Sequence, residues 1–324
     1  MSMTPEQATR FAEIFNRVTQ NVESALLGKT RVIQLALTAL LSEGHLLLED
    51  FPGTGKTSLA RAIAQSVRGV SSRIQFTPDL LPGDVTGMSI YDQRQGEFVF
   101  HQGPVFANIV LADEINRASP KTQSALLEVM EESRVTVDGR THTVGRPFMV
   151  IATQNPVEQA GTYRLPEAQL DRFIMKTTLG YPDHRATLAI LEGAGTRSHD
   201  SVIPSVITSE NVVELAALAQ TVHVEPTVLD YIARLVEATR SAPEVRLGVS
   251  VRGALALVRT SKTWAAVHGR SYVLPDDVKA LAGVVLTHRL VLDPEAEFDG
   301  VTPDSVIAQL LMDVKPPVER GTDA

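Results

Sequence analysis

Apolar residues recur at two periods along this 324-residue chain, and the alternation between the two outlines its architecture. Thr4-Pro5-Glu6 reads as a helix start, and Phe11, Ile14, Phe15 and Val18 follow at helical spacing. A second helical run covers Val32 to Leu41. Apolar strand-like runs then alternate with helical ones: 46–50 before a helix at 57–67, then 73–77, then 108–113 before a helix at 120–132, then 148–153 and 173–179. Strands interleaved with helices in this way predict an α/β fold, a parallel five-stranded sheet between helices.

Two segments break the rhythm. Residues 80–106 carry Pro-Gly and Gln-Gly turns and a short alternating run, Glu97 to Phe100, which predicts strand pieces around a short helix with Phe98, Phe100 and Phe106 as local core. Residues 134–143, RVTVDGRTHT, alternate on both sides of Asp138-Gly139, the pattern of a two-residue hairpin. The composition shifts to GAGTRSHDSVIPS near Gly193 to Ser205, and beyond it every periodic run is helical: 209–220, 226–240, 250–268, 275–288 and 303–312. The expected organisation is a nucleotide-type α/β domain over 1–192, a linker over 193–207, an all-α domain over 208–316 and a tail over 317–324.

Composition excludes some chemistries. With 44% hydrophobic residues the chain can build one large core and one smaller one. It has no cysteine, so disulfides, thiolate nucleophiles and thiolate zinc sites are absent and a reducing compartment is the simplest home. The N-terminal MSMTPEQATRFAEIF lacks the basic and then apolar pattern of an export signal, and no segment approaches about 18 consecutive apolar residues. The expectation is a soluble, cytoplasmic protein without a membrane span. A formal charge of −8 leaves the chain as a whole without an electrostatic footprint for nucleic acid, and the eight histidines show no ligand spacing.

The candidate chemistry starts in LLLEDFPGTGKTSLARAIA, residues 46–64. Gly53 and Gly55 flank Thr54, and Lys56-Thr57-Ser58 open a helix directly after an apolar strand. In that context the Pro52-Gly53-Thr54-Gly55 loop, through its backbone N–H groups from Gly53 onward, wraps phosphates, Lys56 reaches the terminal ones and the Thr57 hydroxyl binds Mg²⁺. Asp50 stands where the general G-x-x-x-x-G-K-[ST] pattern has its first glycine. That position is the strand end, before the backbone curls round the phosphates, so the departure matters less than it seems. The plainer alternative is a glycine-rich turn with a solvated lysine.

The run NIVLADE ends a buried strand in two carboxylates, with Asp113 suited to hold the metal's hydration shell and Glu114 to polarise an attacking water. Asn155, in IATQNP, ends the next strand, where a neutral amide can orient that water or simply form a turn before Pro156. Arg172, in LPEAQLDRF, fits either an arginine finger inserted into a neighbouring subunit or an ion pair with Asp171 or Glu167. Arg252 follows LGVS at a helix start with Ser250 as N-cap, a position the helix dipole disfavours for a cation.

In this order PGTGKT, VLADEINRA, IATQNP, LPEAQLDRF and VSVRG resemble the AAA+ ATPases and, within them, the MoxR family, over about residues 20–315. An acid in place of the first glycine is usual in that family. The resemblance implies a Walker A lysine at Lys56, Walker B acids at Asp113 and Glu114, sensor 1 at Asn155, an arginine finger at Arg172 and sensor 2 at Arg252. It also implies adenine near Gly28-Lys29, a helix-2 insert at 80–106 and a pre-sensor-1 hairpin at 134–143, both facing a central pore or a partner. Val251 departs from the family, which commonly has proline before the sensor-2 arginine. Function by resemblance is Mg²⁺-dependent ATP hydrolysis in a homo-oligomeric ring, usually hexameric, that remodels or matures client proteins, including by metal-cofactor insertion. Proteins with a von Willebrand factor A domain are frequent partners. The alternatives are a nucleic-acid motor, which the acidic balance disfavours, and a nucleotide-gated scaffold with little turnover, which Glu114 and Arg172 disfavour.

Overall fold

A computed structural model describes residues 2–51, 53–94, 96–155, 163–193 and 203–317. The chain divides into two compact units. One comprises Phe15–Phe173 and Thr177–Leu215; the other comprises Met1–Ile14, Ile174–Lys176 and Ala216–Ala324.

The strands in chain order are β1 Leu46–Glu49, β2 Ser71–Gln75, β3 Gly87–Asp92, β4 Glu97–Gln102, β5 Ile109–Asp113, β6 Arg134–Val137, β7 Arg140–Thr143, β8 Met149–Gln154 and β9 Met175–Thr177. β1, β2, β5, β8 and β9 form a five-stranded sheet in the order β2-β5-β8-β1-β9, and the pairs β2–β5, β5–β8 and β1–β8 are parallel. Every residue of β5 is buried, as are the first five of β8. This is why these segments read as unbroken apolar runs, since a central strand covered on both faces has no solvent side to mark. β2 differs. As an edge strand it buries Ile74 while Arg73 and Gln75 are exposed on its other face.

Helices cover the sheet, and Leu47, Val110, Val150, Leu126, Leu127 and Phe173 share one core with Phe76 and Val105. Local chemistry starts the helices where the sequence suggests. Thr4 Oγ1 accepts the Gln7 N–H while Gln7 Oε1 accepts that of Thr4, a reciprocal cap for Pro5–Glu23. Ser119 accepts the Thr122 N–H, with Pro120 at the first position of Pro120–Glu132.

Residues 134–143 form the expected two-residue hairpin. Val137 pairs with Arg140, and Asp138 and Gly139 both take positive φ, 50° and 75°, the primed turn that matches strand twist. The first insertion is ordered otherwise than expected: the short helix Pro82–Thr86 precedes an antiparallel β3–β4 hairpin instead of lying between strand pieces. Phe98 is also not core. It is 68% exposed near the hairpin tip, edge-on to Tyr91, whereas Phe100 packs edge-on to Phe106 and stacks at 4.0 Å on His142 of β7.

The second unit carries the helices Pro226–Ser241, Val251–Val267, Pro275–Leu286 and Pro303–Asp313. It is not wholly helical. Strand β10 Val245–Leu247 pairs antiparallel with β11 Val291–Leu292, pieces too short to leave a period in the sequence. Of the expected linker, residues 194–202 lie outside the described residues, as do 318–324 of the tail. The Val206 and Ile207 N–H groups both donate to the Ser66 carbonyl. Among the described residues no helix is long and apolar enough to cross a membrane.

Candidate functional site

β1 ends at Glu49, and the chain then turns through Gly53 (φ +82°) and Gly55 (φ +98°) into the helix Lys56–Ser66. Both glycines take a backbone conformation that a side chain disfavours, and a Cβ on Gly55 would sit 2.8 Å from Leu26 Cδ1. The first turn of that helix thereby offers backbone N–H groups to a cleft of about 380 Å³ lined by Gly53, Gly55, Lys56, Thr57, Arg73, Gln75, Asp113 and Glu114. Thr54 is buried, Ser58 is exposed, and Pro52 lies outside the described residues.

Lys56 is 9% exposed; its Nζ lies 4.0 Å from Asp113 Oδ1 and donates to the Asp50 carbonyl at 3.4 Å. Asp113 ends β5, where Thr153 Oγ1 of β8 donates to its Oδ1 at 2.7 Å. The same hydroxyl accepts the Glu114 N–H at 2.8 Å. Glu114 itself has φ 56° and ψ 50°, a left-handed conformation that costs a non-glycine residue about 1–2 kcal/mol. The turn after it is held from inside. Fully buried Gln123 gives its amide to the carbonyls of Ile115, Ala118 and Tyr163 at 3.1–3.2 Å.

The Glu114 carboxylate is also held, by Gln75 Nε2 at 3.1 Å and Arg117 Nη1 at 2.7 Å on the same oxygen, Oε2. Arg73 Nη2 donates to Asp113 Oδ2 at 2.7 Å and to Gln75 Oε1 at 2.9 Å. Sequence reasoning missed Arg73, Gln75, Arg117, Gln123 and Thr153. For the first two the sequence holds half of the signal, since polar residues two apart on a strand share one face; the pairing that sets Gln75 opposite Asp113 comes from the fold.

Asp50 has a definite use. It is 4% exposed, and its carboxylate accepts N–H groups from Leu179 and from Gly180, the latter at 2.9 Å. A carboxylate here caps the chain that leaves β9, a task glycine cannot perform. Nearby, Lys29 Nζ donates to the Tyr181 carbonyl and the Phe51 and Tyr181 rings stack.

Of the remaining candidates, Asn155 and Arg172 are not among the residues that line this cleft. Asn155 follows β8 directly and is half-buried. Arg172 borders a different hollow of about 230 Å³ with Ser124, Leu127, Glu128, Glu131, Glu132 and Gln169. Its ion pair is with Glu131 at 2.9 Å, not with Asp171 or Glu167, because the helix Pro120–Glu132 presents Glu131 and the Leu127 carbonyl, 2.7 Å from Nη1, to the guanidinium. Arg252 belongs to the other compact unit, in the first turn of Val251–Val267, where Ser250 caps the Gly253 N–H as expected. Among the described residues there is no cluster of three His, Cys, Asp or Glu side chains able to hold a metal by itself. Thr57 and Asp113 are hard oxygen donors beside a lysine at a helix N-terminus, a set that suits a magnesium–polyphosphate and not a softer metal.

Comparison with known proteins covers both units. Residues 45–175 match the ATPase family associated with various cellular activities (AAA), and residues 237–310 match the AAA lid domain. Chaperone MoxR1 of Mycobacterium tuberculosis is 41% identical over 305 residues, 91% of this chain and 80% of the relative. The Bacillus subtilis protein YeaC is 48% identical over 95% of this chain and 96% of its own length. A crystal structure of a Cytophaga hutchinsonii protein superposes with a TM-score of 0.90 at 38% identity, covering 97% of this chain and 98% of that one.

Proposed function

This chain belongs to the MoxR family of AAA+ ATPases, and we propose that it binds ATP with Mg²⁺ in the Lys56–Asp113–Glu114 cleft and hydrolyses it to ADP and phosphate. The observation that carries the reading is the convergence of Lys56, Thr57, Asp113 and Glu114 on one cleft at a helix N-terminus. Backbone N–H groups of 53–57 and the Lys56 ammonium hold the phosphates. Thr57 and Asp113 would hold the magnesium, which would supply charge neutralisation on the phosphate oxygens when bound. Glu114 accepts a proton from the attacking water as the bond between the terminal phosphorus and the bridging oxygen breaks, and Asn155 orients that water.

Arg172 completes the site from a neighbouring subunit of a ring, which we take to be hexameric. Its position on a hollow that shares no lining residue with the cleft supports a role outside its own chain. Arg252 on the lid senses the terminal phosphate, and the lid turns hydrolysis into subunit motion that remodels or matures a client protein, with metal-cofactor insertion one such task. A von Willebrand factor A domain protein is the partner class we propose, and the cytoplasm the compartment. The test is phosphate release by the natural protein and Glu114→Gln, alongside nucleotide binding. Binding kept and turnover lost in Glu114→Gln supports the reading; turnover equal in the two removes Glu114 as the base.

A further inference from the structure

The carboxylate assigned to the metal already carries a cation. Asp113 Oδ1 is engaged by Thr153 at 2.7 Å, with Lys56 4.0 Å away, whereas Oδ2 is met by Arg73 at 2.7 Å. The two partners are built differently. The Asp113 side chain is 11% exposed at the end of a fully buried strand, while that of Arg73 is 52% exposed on the edge strand β2 and reaches across. One is a fixed anion and the other a cation free to leave into water. Arg73 also touches Gln75 Oε1, whose amide nitrogen holds Glu114, so departure of the guanidinium loosens the partner of the proposed base.

We infer that Arg73 is a resident counter-cation of Asp113, which an arriving magnesium–nucleotide displaces, so that Arg73 sets the magnesium concentration at which nucleotide binds tightly. This rests on the ATP–magnesium reading above. The physical reason is competition: a buried carboxylate without a cation is costly, the guanidinium lowers that cost before the metal arrives, and the metal recovers only the difference. Removing the guanidinium leaves Asp113 with the more distant Lys56 and makes the metal's gain larger. A positioning residue of this kind acts opposite to ordinary damage, which weakens binding and does not tighten it.

The experiment titrates magnesium against a fluorescent N-methylanthraniloyl-ADP bound to the natural protein, Arg73→Gln, Arg73→Lys, Asp113→Asn and the Arg73→Gln/Asp113→Asn pair, each checked for folding by circular dichroism. The half-saturating magnesium concentration should fall about tenfold in Arg73→Gln, the scale of one charge-assisted hydrogen bond at a half-exposed guanidinium, and about threefold in Arg73→Lys. In the Asp113→Asn background Arg73→Gln should shift nothing. An unchanged or raised midpoint in both Arg73 variants overturns the inference, as does the same tenfold fall without Asp113. If nucleotide affinity drops equally with and without magnesium, Arg73 is a phosphate contact and the inference fails alone. If the natural protein binds no nucleotide at all, the nucleotide reading falls and this inference falls with it; nucleotide binding indifferent to magnesium overturns this inference alone.

Discussion

Asp50→Gly restores the glycine of the general phosphate-loop pattern, and the structure predicts that it destabilises the protein. The Asp50 carboxylate accepts the N–H groups of Leu179 and Gly180, and Leu179 is 3% exposed. Losing the acceptor leaves one buried N–H unsatisfied at a cost of about 1–3 kcal/mol and a second, half-buried one at about 1 kcal/mol. The glycine adds about 0.5–1 kcal/mol of unfolded-chain entropy, and release of the buried carboxylate offsets part of the total. The net expectation is about 2–3 kcal/mol. Asp50→Asn keeps one acceptor oxygen and should cost about 1 kcal/mol. Urea unfolding followed by circular dichroism reads both as a lower midpoint with unchanged slope. The Lys56 contact is to the Asp50 backbone carbonyl and survives either change. An Asp50→Gly variant as stable as the natural protein would refute the reasoning and return the position to the general glycine rule.

Two further substitutions probe the site and the helical unit. Thr153→Val keeps shape but removes both the donor to Asp113 and the acceptor of the Glu114 N–H; it should cost about 2 kcal/mol in urea unfolding and lower ATP turnover while leaving nucleotide affinity within about threefold. Asp277→Asn breaks a bidentate pair with Arg270, two bonds of 2.6 Å that hold the guanidinium above its ordinary pKa, and weakens the cap on the Leu274 N–H. With Asp277 3% exposed, about 2–4 kcal/mol of stability should be lost, and thermal unfolding of the helical unit should shift downward accordingly.

What the sequence could and could not reveal follows from how each feature is encoded. The central strands β1, β5 and β8 are legible because burial on both faces forces unbroken apolar runs, and the 134–143 hairpin because a primed turn demands Asp-Gly. β10 and β11 are not, since strands of three and two residues carry no period and are held by the fold around them. The order of the first insertion is hidden for a related reason: its hairpin exposes Met88, Ile90, Tyr91 and Phe98, so apolar residues there do not mark a core. At the site, the loop and the two acids stand in local motifs, whereas Arg73, Gln75 and Thr153 reach the acids only through strand pairing across about 40 residues of chain, a relation that only the register supplies. The Glu131 partner of Arg172 was hidden in the same way, on a helix remote in sequence.

The central claim is hydrolysis at a site completed by a neighbouring subunit. ATP turnover per subunit, measured against protein concentration for the natural protein, Glu114→Gln, Arg172→Ala and an equimolar mixture of the two variants, tests it most directly. The account predicts a specific rate that rises with concentration, is lost in each variant alone by about 10³-fold or more, and partly returns in the mixture, where an intact Glu114 meets an intact Arg172 from another chain. A rate independent of concentration and indifferent to both substitutions would contradict it.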